Sequence, residues 1–110
     1  MKQYVIDGLR PQDYNRLQDY LDQYTNAAGI VGVYWLELEH TLLTPLQAEH
    51  ESCFPHVVAL KLENTCLTCE FLVRTKKHIR CDCMAYANRE QRNWLIDQMD
   101  AILEKLAIRI

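Results

Sequence analysis

The sequence predicts a single α+β domain over residues 1–110, with a mostly antiparallel sheet of about five strands in the order β-α-β-short α-β-β-β-α. Three observations predict it. Apolar residues recur at three- and four-residue steps from Tyr14 to Ala28 and again from Leu95 to Leu106, the period of an amphipathic helix. Apolar and polar residues alternate around Val58, Leu60 and Leu62, then from Leu67 to Val73, then from Ile79 to Ala85, the period of half-buried strands. Only three glycines and three prolines punctuate the chain, which leaves little room for linkers or disorder.

Residues 3–7, around Tyr4, Val5 and Ile6, read as a short strand ended by Gly8. Pro11 suits the first helical turn, where its missing N–H is not needed. The helix predicted over 11–28 turns Tyr14, Leu17, Leu21, Tyr24 and Ala28 inward and keeps Asp13, Asp19 and Asp22 outside, with Gly29 placed to end it. Residues 30–38 are apolar on both faces until Glu37, so this strand needs cover on both sides. A strand, helix, strand order predicts that the first two strands run parallel through a right-handed crossover.

A long connection, 40–56, follows. Thr44, Pro45 and Gln47 have the spacing of a capped short helix: a hydroxyl cap, proline at the first position, an amide three residues after the cap. The next strand begins near His56, and a tight turn at Asn64-Thr65 pairs Leu62 with Leu67, opening a C-terminal three-strand meander. For the following hairpin, a three-residue loop at Thr75, Lys76 and Lys77 keeps apolar faces together. It pairs Val73 with Ile79, Phe71 with Cys81 and Cys69 with Cys83, because a one-residue slip would send charges to the core face. Asn88 with Gln91 opens the last helix, predicted over 89–107, whose stripe covers the meander, so two main helices pack on the sheet.

Composition bounds the function. A net charge of −3 and pI of about 5.7 disfavour general nucleic-acid or anionic-membrane binding. No apolar run approaches the ~20 residues that span a bilayer, and the first residues lack the apolar core of a signal peptide. Five cysteines, an odd number outside any secretory pattern, predict a soluble protein of the reducing cytoplasm. No glycine-rich phosphate loop, GxSxG elbow or HExxH motif occurs, and no catalytic residue is assigned.

Three groups of side chains carry candidate chemistry. Cys66, Cys69, Cys81 and Cys83 form a CxxC and a CxC, spacings that suit zinc or iron–sulfur. In the predicted register, however, Cys69 and Cys83 are a buried structural thiol pair, with cross-strand redox chemistry as the alternative. His50, Cys53 and His56 offer imidazole and thiol ligands within one short run. The meander brings His78 to the same end, so His50, Cys53, His56 and His78 make the candidate metal site, with zinc or another transition metal as its cofactor. Cys66 falls at the far end of the strand pair, about 20 Å away by strand rise. Arg74, Lys76, Lys77 and Arg80 form a basic tip. It suits an anion, although solvated lysines that discourage edge pairing account for the same residues; nucleic acid is disfavoured there because the tip itself holds no aromatic ring for stacking.

The leading functional expectation is a non-enzymatic interaction or regulatory module that binds a protein partner or itself and holds no cofactor. The doubly apolar strand and a semi-apolar outer sheet face (Val57, Ala59, Leu72, Met84) predict a homodimer. The alternative is a metal-binding or thiol-redox protein using the neighbourhood of Cys53, His50, His56 and His78.

Overall fold

The computed structural model describes all 110 residues and has the predicted class. Strand β1 (Gln3–Ile6) leads to helix α1 (Pro11–Tyr24), a two-residue strand β2 (Asn26–Ala27) and β3 (Val33–Glu37). The long connection contains helix α2 (Pro45–Glu49), with one short 3-10 turn on either side. Strands β4 (His56–Leu62), β5 (Leu67–Glu70), β6 (Leu72–Thr75) and β7 (Ala85–Tyr86) follow, and α3 (Arg89–Lys105) closes the fold. The sheet runs β1-β5-β4-β3-β2, with β6 paired to the start of β4 and β7 to β6, every pairing antiparallel.

Both predicted capping boxes are present. Thr44 Oγ1 accepts from the Gln47 N–H at 3.2 Å, and Asn88 Oδ1 from the Gln91 N–H at 2.8 Å, while each glutamine side chain returns to its cap N–H. Leu62 faces Leu67, as the turn predicts. Alternate residues of β4 (Val58, Leu60, Leu62) join Leu17 and Leu21 of α1 and Leu95, Met99, Ile102 and Leu103 of α3 in one buried cluster. This is the period-two and period-3.6 patterning meeting in a single core.

Four expectations are corrected. First, α1 stops at Tyr24, not Ala28: the Thr25 N–H and hydroxyl both donate to the Leu21 carbonyl, at 3.0 and 2.6 Å, and the chain turns into β2. Asp13, expected outside, is buried beneath Arg10, whose side chain hydrogen-bonds its carboxyl and holds it below the usual carboxylate range. Second, β1 and β3 are not parallel neighbours. β2 occupies the free edge of β3, and β1 pairs β5 at the other end of the sheet with Tyr4 opposite Cys69.

Third, the meander slips. The β4–β5 register would place His56 opposite Val73, yet His56 faces Thr75. Phe71 leaves the ladder: its N–H donates to the Lys2 carbonyl at 2.9 Å, and its own carbonyl accepts from the Ala87 N–H at 2.7 Å. Two residues are thereby bulged out between β5 and β6. Fourth, the tight hairpin at 75–77 is a long loop, 76–84, and Leu72 and Val73 pair with Tyr86 and Ala85. Ile79, expected in the core, is 92% exposed. Cys69 and Cys83 are therefore not cross-strand partners: Cys69 sits on β5 between Tyr4 and Leu60, and Cys83 lies in the loop. The outer-face residues Val57 and Ala59 are buried within the single chain, which removes them from any association surface.

Between β2 and β3 the chain turns through Gly29 and Gly32, with φ of +84° and +81°. A Cβ on Gly32 would stand 2.8 Å from the Leu62 carbonyl oxygen, whereas one on Gly29 meets nothing within 4 Å. Gly29→Ala is expected to cost about 1 kcal/mol, the left-handed penalty alone, and Gly32→Ala about 2–3 kcal/mol. Urea unfolding checks this, and equal losses would mean that the approach to Leu62 does not constrain the turn.

Candidate metal centre

Two segments meet at the end of the sheet where β4 begins. The first is the exit of the long connection. The Thr44 cap and Pro45 start α2, and the chain leaves it at His50, turns once, and buries Cys53 just before β4. The second is the 76–84 loop, which brings Cys81 and Cys83 back over the same end. Thr75 fastens the loop's start: its hydroxyl donates to the Cys53 carbonyl and accepts from the Lys77 N–H at 3.1 Å. A turn from Cys81 to Met84, closed by the Met84 N–H donating to the Cys81 carbonyl at 3.0 Å, presents Cys81 and Cys83 inward.

The result is a group of three thiols and one imidazole. The ligand atoms of His50, Cys53, Cys81 and Cys83 all lie within 4.8 Å of one another. His50 Nδ1 is 3.0 Å from Cys81 Sγ, and the Cys53 and Cys81 sulfurs are 3.5 Å apart. Around zinc, bonds of 2.0–2.3 Å in a tetrahedron set neighbouring ligand atoms about 3.3–3.8 Å apart. The close pairs already stand near that spacing, and the widest separation exceeds it by about 1 Å.

His56 stands directly behind this group. Its Nε2 is 3.3 Å from Cys83 Sγ, its ring is buried, and its Nδ1 has no partner. Burial, then the neighbouring His50 and His40, lower its pKa, so the ring is neutral. A buried lone pair without a partner costs less than a buried N–H without one. That places the proton on Nε2, aimed at the Cys83 sulfur, and a donor in that position favours a thiolate there.

The thiols are electrostatically unequal. Hydrogen bonds from Cys83, then from Cys53 and His50, lower the Cys81 thiol to about 6, while burial raises that of Cys83 to about 12. Cys81, the more exposed of the pair, is the thiol whose ionisation these contacts favour. Outside the group, burial followed by Glu70 raises Cys69 to about 12, which leaves it an inert core thiol. Cys66 lies in the turn at the far end of β4, beside the Glu63 carboxylate.

Of the four candidate ligands read from the sequence, the structure brings His50 and Cys53 together. His56 supports the site from behind, and His78 lies exposed on the loop outside the group. Cys81 and Cys83 were missed as partners of His50 and Cys53 because a strand pattern and a CxC ligand pair share the same alternation. The signal that identifies them is the combination HxxC and CxC: two short-spaced ligand pairs, each able to fill two corners of a tetrahedron. In the basic group, Arg74 pairs with Glu70 at 3.3 Å, and Lys76, Lys77 and Arg80 are exposed on the loop.

One further contact orders the site. Gln47 Nε2 donates to the Cys83 carbonyl at 3.2 Å, and Gln47 Oε1 accepts from Gln91 Nε2 at 2.9 Å. The two capping boxes are thus joined side by side, and their shared buried amides hold the backbone of a ligand residue. No protein-family model, curated protein or solved structure matches the chain.

Proposed function

We propose that this protein is a zinc-binding module in which His50, Cys53, Cys81 and Cys83 hold one structural zinc ion. The observation that carries the reading is the convergence of three thiols and an imidazole within 4.8 Å, drawn from segments 28 residues apart in sequence (Cys53 to Cys81). Soft sulfur with one nitrogen suits zinc, and four protein ligands leave no open position for substrate, which is the pattern of a structural rather than a catalytic site. Three thiolates and a neutral imidazole around a divalent ion leave one net negative charge, and Arg80, beside Cys81 on the loop, offsets it. The ion would tie the long connection to the 76–84 loop at one end of the sheet.

The test is metal content of untagged protein purified without chelator. The expected result is one zinc per chain. Cys53→Ala, and separately Cys83→Ala, are expected to lose it, while His56→Ala keeps the stoichiometry and weakens affinity roughly 10–100-fold, as loss of a ligand's hydrogen-bond partner does. Near-zero metal in the parent protein after zinc reconstitution would end the reading.

A second reading, a protein-contact module, is favoured by the turn between β2 and β3, where Ile30 is 69% and Val31 96% exposed. A concentration-independent monomer mass by light scattering would remove self-association through this turn.

A further inference from the structure

The 76–84 loop does more than carry two cysteines. Between it and the sheet lies a cleft of about 390 Å³ lined by Trp35, Arg74, Lys76, Lys77, His78 and Met84 among others. Trp35 belongs to β3, some forty positions earlier in the chain. The strand order places β3 beside β4 and β4 beside β6, so the indole reaches the basic tip across the face of the sheet. The aromatic wall that the tip's own sequence lacks is thereby supplied from elsewhere in the fold.

The charge here runs against the rest of the molecule. The chain carries a net −3, yet no acidic residue occurs between Glu70 and Asp82, and that interval holds Arg74, Lys76, Lys77, His78 and Arg80. The structure has three ion pairs, and none of them engages Lys76, Lys77 or Arg80. Arg74 pairs with Glu70 through one terminal nitrogen. The tip is held at its start by Thr75, which binds the Lys77 N–H and the Cys53 carbonyl, and at its end by the Cys81–Met84 turn. Cations free of ion pairs, on a tip anchored at both ends and lining one cleft with an indole, make two complementary subsites, one for an anion and one for a planar ring.

We infer that this cleft binds a mononucleotide, with its phosphate on Lys76 and Lys77 and its base against Trp35. The volume suits one nucleotide unit and lies at the lower end of the range of small-ligand sites. The residues that line it include no zinc ligand. The inference rests on the proposed zinc site only in that Cys81 and Cys83 fix the end of the tip.

The experiment uses the full zinc-loaded chain carrying Trp94→Phe, so that Trp35 is the only indole. AMP, adenosine, ribose 5-phosphate and a short single-stranded oligonucleotide are titrated against Trp35 fluorescence, and competition with AMP reads the ligands that quench weakly. AMP is expected to quench saturably. Lys76→Ala/Lys77→Ala is expected to weaken AMP roughly tenfold or more, since it removes charge-assisted contacts. For the Trp35 variants, which lack the reporting indole, binding is read by titration calorimetry: Trp35→Ala is expected to bring AMP down to the affinity of ribose 5-phosphate, and Trp35→Phe to restore part of the difference. Adenosine binding as tightly as AMP, AMP binding indifferent to the lysine pair, or no saturable response to AMP would each overturn the inference. The last of these would leave the lysines as a solvated hairpin tip. Binding of the oligonucleotide alone would overturn it in favour of a nucleic-acid surface. Zinc content is measured on the same samples: one equivalent of zinc without AMP binding sinks only the cleft, and AMP binding without zinc sinks only the metal site. Lys76 and Lys77 are exposed, so their removal is expected to leave the unfolding midpoint unchanged.

Discussion

Stripping zinc with a chelator is expected to lower the unfolding free energy by about 4 kcal/mol relative to protein held at free zinc a thousandfold above its dissociation constant. The unfolded chain gains little from the ion, because bringing Cys53 to Cys81 there means closing a long loop at an entropic cost. The loss is expected to be local in structure although large in energy. None of the four ligands belongs to the buried cluster that joins α1, α3 and β4, and that cluster has its own leucines, methionine and tyrosine. Far-ultraviolet circular dichroism should therefore keep its helical signal after chelation. Amide exchange should rise in the long connection and in the 76–84 loop, with the amides of β4 and β5 remaining protected. Acid should act in the same direction as the chelator. Zinc binding displaces the protons still held by the ligand thiols, so affinity falls as pH falls. Cys83, whose thiol burial pushes up to about 12, gives up a proton throughout the neutral range, and Cys81, near 6, adds another only below that. An unfolding midpoint that does not move on chelation, in protein shown to have carried zinc, would mean that the ion does not hold these segments.

Much of this fold was legible because its signals are local. The Thr44–Gln47 and Asn88–Gln91 spacings identify helix starts through bonds made within four residues, and both boxes form. The stripe along α3 and the alternation along β4 likewise concern one element at a time. What was not legible is where elements meet. Phe71 alternates correctly with its neighbours, but its backbone is engaged by Lys2 and Ala87, and this shifts everything after it by two residues. Cys81 and Cys83 alternate as strand residues do, and a ligand pair in a loop has the same spacing. Only the three-dimensional return of the loop to Cys53 separates the two readings. Trp35 gave no indication that it would face Lys76 and Lys77, since that depends on the order of strands across the sheet. His50 and Cys53 were legible as neighbours because they share one turn, and the structure groups them with Cys81 and Cys83, not with His78.

Gln47→Ala is expected to be the most damaging single substitution outside the ligands and the apolar core, costing about 3–5 kcal/mol. Gln47 is 2% exposed, and its side chain makes three hydrogen bonds: it accepts from the Thr44 N–H at 3.0 Å and from Gln91 Nε2 at 2.9 Å, and donates to the Cys83 carbonyl at 3.2 Å. Truncation leaves the Cys83 carbonyl and the Gln91 amide without this partner in a buried setting and the Thr44 N–H without it in a half-buried one, and each orphaned group costs about 1–3 kcal/mol. Gln91, itself 1% exposed, retains its bond to the Leu42 carbonyl at 3.0 Å, so the loss is less than complete at that partner. Thr44→Ala is the control. It removes one bond of the same capping box and is expected to cost about 1 kcal/mol. The two variants should also differ at the metal. Only Gln47 holds the backbone of a ligand residue, so Gln47→Ala should weaken zinc roughly tenfold or more while Thr44→Ala leaves it nearly unchanged. Urea unfolding in the zinc-loaded and zinc-free states, with a competitive zinc titration, measures both effects. Equal losses in stability for the two variants would show that the joined boxes act as separate caps, and an unchanged zinc affinity in Gln47→Ala would show that the metal loop holds its own shape.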